Sequence, residues 1–177
     1  MTWKSSEKIK WGILGCAAIA GKALIPAFKK AQKAELVAIS SRSAATATDW
    51  AKKFGLAKSY GSYEELLADK EIDAIYIPLP NHLHFEWTVK ALRAGKHVLC
   101  EKPLALTAGE VMEMFEEAQA NKRLLMEAFM YRFHPRLGKA VELIESGAIG
   151  EPRLVCSAFT FVFDREPDNY RWSPLMG

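Results

Sequence analysis

Ile9-Lys10-Trp11-Gly12-Ile13-Leu14-Gly15-Cys16-Ala17-Ala18-Ile19-Ala20 is the stretch that decides the fold of this chain. A short apolar run stops at a glycine, small residues follow, and over 18–30 apolar positions recur at helical spacing. That order reads as strand, tight turn, helix.

Working outward, 35–40 is a second apolar run, and Ser43 is placed to cap a helix running to about Phe54. Ser62 with Glu65 three residues on has the capping-box spacing and opens a short helix. A strand over 73–77 precedes a helix over 82–94, with Leu83, Trp87 and Ala91 on one stripe and Gly95 at C′. A strand over 97–100 leads to a second capping box, Thr107 with Glu110. The helix it opens turns Val111, Met114, Phe115 and Ala118 inward, and 124–126 is another strand. Strands and helices alternate, and the strands are continuous apolar runs instead of alternating ones. Such strands are buried on both faces, so the expected fold is α/β, a doubly wound parallel sheet.

After residue 130 the rhythm changes. The spacing predicts an amphipathic helix over 135–146 stopped by Gly147, then a long strand over 154–163. That strand puts Val155, Ser157, Phe159, Phe161 and Phe163 on one face, which suits an open, mostly antiparallel sheet. The expected domains are therefore 1–127 and the beginning of a second α/β domain at 128–177, with the chain read as a fragment.

Composition agrees with an ordinary folded protein. The chain has 177 residues, and at roughly 150 per domain this predicts one domain plus a remainder. Charged residues are 25% and aromatics 11%, which excludes disorder as the main state. The net charge, +3 from 24 Lys+Arg against 21 Asp+Glu, is too mild and dispersed to indicate nucleic acid. No apolar span approaches the length of a transmembrane helix, and the first residues lack the apolar core of a signal peptide. Cys16, Cys100 and Cys156 form no CxxC pair, so neither a disulfide framework nor a zinc knuckle is indicated, and a reducing cytoplasm is expected. His82 and His84 diverge on a helix, so no metal is expected.

Three stretches carry chemistry. Gly15-Cys16-Ala17-Ala18-Ile19-Ala20 matches the dinucleotide fingerprint in the degenerate form G-x-A-x-x-A, where backbone N–H groups at a helix start can face a pyrophosphate. On these residues alone a closely packed structural turn reads as well, and the strand before and helix after favour the nucleotide. At the end of the second strand, Ser40-Ser41-Arg42-Ser43 has no acid for a ribose 2′-hydroxyl. An arginine there can pair with a 2′-phosphate, which favours NADP over NAD, although an N-cap serine beside an exposed arginine is the alternative. Finally, Cys100-Glu101-Lys102-Pro103-Leu104 lies at the carboxyl end of a strand, the edge where ligands sit in open α/β sheets. An ammonium there can polarise a carbonyl and help move a proton, whereas the plainer reading is a surface ion pair before a turn.

With Tyr60-Gly61-Ser62-Tyr63-Glu64-Glu65-Leu66-Leu67, Pro78-Leu79-Pro80-Asn81-His82-Leu83-His84, Ala94-Gly95-Lys96-His97-Val98-Leu99-Cys100-Glu101-Lys102-Pro103 and the segment from Glu127 to Pro135, the chain resembles the Gfo/Idh/MocA oxidoreductases. It looks most like their NADP-dependent dihydrodiol and D-xylose dehydrogenase branch. The resemblance implies an N-terminal Rossmann domain, a C-terminal domain with a large open sheet, and hydride transfer between NAD(P) and a sugar, polyol or diol. It implies Lys102 as the catalytic lysine with Glu101 at the nicotinamide side. It further implies Gly15, Ala17, Ala18 and Ile19 at the pyrophosphate, Ser41 and Arg42 at the adenosine ribose, and Leu79, Pro80, Asn81 and His84 along the cofactor. Arg132, Arg171 and Trp172 are expected near the nicotinamide. A homo-oligomer is expected of the full-length protein, and no membrane partner. The two alanines in the glycine turn depart from the family pattern, and the second acid–base residue would lie beyond Gly177. A non-catalytic dinucleotide-binding sensor or scaffold is the alternative function.

Overall fold

A computed structural model of the chain describes residues 8–160, which group into two compact units, 8–128 and 129–160. The first unit is built on six parallel strands, β1 (Ile9–Leu14), β2 (Ala34–Ser40), β3 (Lys58–Tyr60), β4 (Ala74–Ile77), β5 (His97–Cys100) and β6 (Leu125–Glu127). Their order in the sheet is β3-β2-β1-β4-β5-β6, every pair parallel. The chain winds outward from β1 through β2 to β3, then crosses back to place β4 on the other side of β1. Because all strands point the same way, their carboxyl ends share one edge, and the winding reverses between β1 and β4.

The connecting helices are α1 (Ile25–Phe28), α2 (Ala44–Phe54), α3 (Tyr63–Ala68), α4 (His84–Arg93) and α5 (Ala108–Ala120). Alternate residues of each strand face opposite sides of the sheet. Ile13, Ile39 and Tyr76 pack with Ile25 and Ala51 on one side, while Leu14, Ile75, Ile77 and Val98 pack with Leu66, Trp87, Leu92 and Met114 on the other. Both faces being covered is what made the strands read as continuous apolar runs. Gly12 eases one of these contacts: a Cβ there would stand 2.8 Å from Leu66 Cδ2, so a side chain would push aside the leucine by which α3 covers β1.

The capping residues act as their sequence suggests. Ser43 Oγ accepts the Thr46 N–H at 3.3 Å, and Thr107 with Glu110 completes a reciprocal box on α5. On α3, Ser62 Oγ accepts the Glu65 N–H at 3.1 Å, but the Glu65 carboxylate takes the N–H of Gly61 instead of that of Ser62.

Three local expectations are corrected. The first helix opens as a π turn (Ala20–Leu24) before becoming α1. Pro26 has no N–H for the Lys22 carbonyl and its ring would clash there, and widening the preceding turn relieves both. Phe115 is 50% exposed: Met114 and Ala118 carry α5 onto the core, and the next position along is rotated out of the buried arc. The strand β3 escaped the sequence reading because Lys58-Ser59-Tyr60 is short, polar and at the sheet edge.

In the second unit a 3-10 turn (Met130–Phe133) leads into α6 (Pro135–Glu145), where His134 Nδ1 accepts the Arg136 N–H at 3.2 Å. No strand forms over 154–160, and 161–163 fall outside the described residues. A strand exists through its ladder with a neighbour, and no strand of this unit among the described residues supplies one. The antiparallel sheet is therefore not seen among the described residues. Nor, among them, is any helix long and apolar enough to cross a membrane.

Candidate active site

The candidate residues of the first unit converge on one edge of the sheet because each directly follows, or belongs to the turn after, a parallel strand. Gly15 follows β1, Ser41 and Arg42 follow β2, Leu79 to Asn81 follow β4, and Glu101 and Lys102 follow β5.

The first turn is shaped for close approach. Gly15 has φ +100°, donates its N–H to the Ser40 carbonyl at 2.9 Å, and a Cβ there would stand 2.8 Å from Leu79 Cδ2. Cys16 and Ala17 are half-buried, while Ala18 and Ile19 are exposed at the helix start. Burial pushes the Cys16 thiol up to about 11, against a smaller opposing hydrogen bond with Ser41. Cys16 is therefore a neutral, half-buried thiol in the turn, whereas Cys100 is fully buried.

The β2 tip is laced to its neighbours. Ser41 donates its N–H to the Tyr60 carbonyl at 3.2 Å, and its Oγ accepts the Ser43 N–H at 3.3 Å. Arg42 is exposed, and among the described residues no carboxylate lies within ion-pair distance of it. Its charge lies near the Tyr63 hydroxyl, where burial pushes the phenol up and the guanidinium opposes that rise.

After β4, Leu79 is buried against the first turn, and Asn81 begins a 3-10 turn (Asn81–Leu83). His84 is corrected here. Its ring is 0% exposed, with Nε2 2.7 Å from the Leu79 carbonyl and Nδ1 2.7 Å from the Pro103 carbonyl. It cannot line a ligand; it ties the loop after β4 to the Glu101-Lys102-Pro103 turn from beneath.

That turn is anchored on three sides. The Glu101 N–H donates to the Ile77 carbonyl at 3.0 Å, and Glu101 Oε1 accepts the Tyr76 hydroxyl at 2.7 Å. Glu127 Oε1 accepts the Leu104 N–H at 2.9 Å. Lys102 Nζ stands 3.8 Å from Glu101 Oε2, with the lysine side chain 58% exposed and so free to meet a ligand. The Lys102–Pro103 peptide is cis.

Tyr63, Tyr76 and Glu127 were not expected at the site. Tyr76, inside β4, and Glu127, at the end of β6, find their partners Glu101 and Leu104 in the turn after β5, a meeting that no spacing in the sequence records. Arg132 belongs to the second unit, within its 3-10 turn, and Arg171 and Trp172 lie outside the described residues. The resulting edge offers a glycine turn at a helix start, an uncompensated guanidinium at one end, and an ammonium beside a carboxylate at the other.

Residues 9–129 match the family described as an oxidoreductase family with an NAD-binding Rossmann fold. A D-xylose 1-dehydrogenase (NADP(+)) of Haloferax volcanii is 46% identical over 164 residues, 93% of this chain and 50% of that protein. A trans-1,2-dihydrobenzene-1,2-diol dehydrogenase of Mus musculus is 34% identical over 170 residues, 96% of this chain and 51% of that one. Among solved structures, a 3-ketoreductase from Actinomadura kijaniata in complex with TDP-benzene and NADP superimposes with a TM-score of 0.75 at 40% identity. That match covers 83% of this chain and 45% of the reductase. The chain thus spans about half the length of the curated relatives it matches.

Proposed function

Because this chain belongs to the Gfo/Idh/MocA oxidoreductase family, we propose that it is the nucleotide-binding half of an NADP-dependent oxidoreductase acting on a sugar, polyol or diol. The observation that carries the choice of nucleotide is Arg42, exposed at the acid-free β2 tip with no carboxylate partner among the described residues. The fit to a dinucleotide rests on the Gly15 turn, whose φ of +100° and tight seat against Leu79 carry the chain sharply from β1 into the helix start.

Gly15, Ala17, Ala18 and Ile19 would hold the pyrophosphate, Ser41 and Arg42 the 2′-phosphate, and Leu79, Pro80 and Asn81 the length of the cofactor. When bound, the nicotinamide supplies hydride transfer to or from a carbinol or carbonyl carbon. Lys102 orients the substrate oxygen and moves its proton, with Glu101 holding the ammonium near the turn. Arg132, and Arg171 and Trp172 outside the described residues, would complete the nicotinamide end. Residues 1–127 are the Rossmann domain in this reading, and 128–177 begin a substrate domain with a mostly antiparallel sheet. Names of relatives support the substrate class, since one is a D-xylose dehydrogenase and another a dihydrobenzene diol dehydrogenase. The whole protein is read as a cytoplasmic homo-oligomer, a state that the exposed apolar Met112 and Phe115 on α5 would suit.

Fluorescence titration of NADP and NAD against the wild type and Arg42→Ala tests the reading. A hydrogen bond to a charged group is worth roughly 1.5–3 kcal/mol, so NADP should weaken about 10- to 100-fold in the variant while NAD is little changed. A wild type that prefers NAD overturns the assignment. With the substrate-binding half present, Lys102→Ala should lower turnover by about 10²- to 10⁴-fold without comparable loss of cofactor affinity.

A further inference from the structure

The peptide joining Pro103 to Leu104, just past Lys102, is gripped at both ends. Its carbonyl oxygen lies 2.7 Å from His84 Nδ1, and its N–H donates to Glu127 Oε1 at 2.9 Å. The other ring nitrogen of His84, Nε2, lies 2.7 Å from the Leu79 carbonyl. One fully buried ring thus meets both the loop after β4 and the turn that carries Lys102.

The number of donors decides the state of this ring. A backbone carbonyl only accepts, so each of the two contacts needs an N–H from the imidazole. A neutral imidazole has one N–H, and its second nitrogen would set a lone pair against a carbonyl lone pair in a place closed to water. The imidazolium has two N–H groups and satisfies both oxygens. The start of α4 disfavours a cation, but two hydrogen bonds from a charged donor outweigh the end of one helix dipole.

The groups around the ring agree. Glu127 holds the far end of the same peptide, and a donor on the carbonyl with an anion on the N–H polarises that peptide in one sense, so each contact strengthens the other. Glu101 adds a second carboxylate to the turn, while the Lys102 ammonium is largely in solvent. The Cys100 thiol, which burial pushes up to about 12, carries no charge. His82 and Glu86, on the ring's own segment, are exposed.

We propose that His84 is a positioning residue for Lys102, a buried imidazolium whose two N–H groups lock the turn after β5 to the loop after β4, with Glu127 as its partner across the Pro103–Leu104 peptide. The inference rests on the reading of Lys102 as the catalytic lysine, but its test reads the clamp without turnover, so either can fail alone. Full-length Lys102→Ala with wild-type turnover would remove the lysine's role and leave the clamp standing.

The chain is isotope-labelled in its histidine nitrogens, and proton–nitrogen correlation spectra at neutral pH report how many protons the His84 ring holds. Both nitrogens should carry one. A bare nitrogen, in either tautomer, overturns the proposal. Amide hydrogen exchange is then compared among wild type, His84→Gln, Glu127→Gln and the double variant. Gln at 127 keeps an oxygen for the Leu104 N–H and loses only the charge. His84→Gln should speed exchange at Leu104 by about tenfold or more, the worth of one or two net hydrogen bonds, with a smaller change at the core amides of Ile13 and Ile39. Glu127→Gln should speed it about three- to tenfold, and by less once His84 is replaced, because the two grip one peptide. Equal acceleration at Leu104 and in the core makes His84 a general support of the fold and overturns the proposal, as do independent effects of the two changes. Where His84→Gln does not fold, the wild-type ring spectrum decides by itself.

Discussion

The Tyr76 hydroxyl donates to Glu101 Oε1 at 2.7 Å, from inside β4 to the residue that follows β5. Tyr76 is 1% exposed, so the carboxylate beside Lys102 is fastened to the interior of the sheet. Burial first, and then the hydrogen bond and charge of Glu101, push the phenol far above its ordinary range. Tyr76 inside β4 thus fastens Glu101, in the turn after β5, beside the exposed Lys102 ammonium.

Tyr76→Phe should therefore destabilise the chain, because Glu101 loses a buried donor. A hydrogen bond to a charged group suggests about 1.5–3 kcal/mol, read from denaturant unfolding at neutral pH. The pH dependence has a definite sign. The unfolded phenol releases its proton near pH 10 while the folded one keeps it, so the unfolded state binds fewer protons and stability falls as pH rises above about 10. Unfolding curves between pH 9 and 11 should show this decline in the wild type and a smaller one in Tyr76→Phe, where equal declines would contradict it.

Acid should act through Asp69. Burial alone would raise its carboxyl, but hydrogen bonds from Lys58, Tyr60 and the Glu71 N–H outweigh it and hold the group at about 2. Its contribution is present above the ordinary carboxylate range and is lost as pH falls from about 4 towards 2, where the unfolded state binds the extra proton. Asp69→Asn should flatten that part of the stability profile. Denaturant midpoints measured across it in both proteins give the answer.

Gly15→Ala should cost both stability and nucleotide binding. With φ +100° the backbone is strained for any side chain, by about 1–2 kcal/mol in left-handed conformations, and the new Cβ would push on Leu79. Thermal unfolding should report the first loss and NADP titration the second. A stable variant that binds NADP as the wild type does would show that the turn tolerates a side chain.

Thr107→Ala tests the clearest sequence signal. It removes the oxygen that accepts the Glu110 N–H at 3.2 Å, and loss of an N-cap costs about 1 kcal/mol. Urea unfolding should show that decrease, with nucleotide affinity unaltered.

The signals that were legible in the sequence are local ones. Ser43, Ser62 and Thr107 cap helices because cap and capped N–H lie three residues apart, and such spacing is written in the chain. The parallel sheet was legible because both its faces are covered, which demands uninterrupted apolar strands. Gly15, Arg42 and Lys102 were legible as candidates because each follows a strand, and parallel strands bring their ends to one edge.

Contacts between distant elements were not legible. His84 appeared beside the cofactor loop in sequence, yet the packing of α4 turns its ring under the loop to meet the carbonyls of Leu79 and Pro103. Tyr63 read as the first residue of a helix, and only the packing of α3 on β1 brings its hydroxyl beside the Gly15 turn. Tyr76 read as one more apolar position of a buried strand, and only the neighbouring β5 gives its hydroxyl a partner. Periodicity, capping and turn chemistry act over a few residues, so the amino-acid sequence by itself determined the helices and buried strands of the first unit and which strand ends carry functional groups. Which side chains meet at those ends depends on strand order and helix approach, and these arise from the packing of segments far apart in the chain; only the tertiary structure decided them.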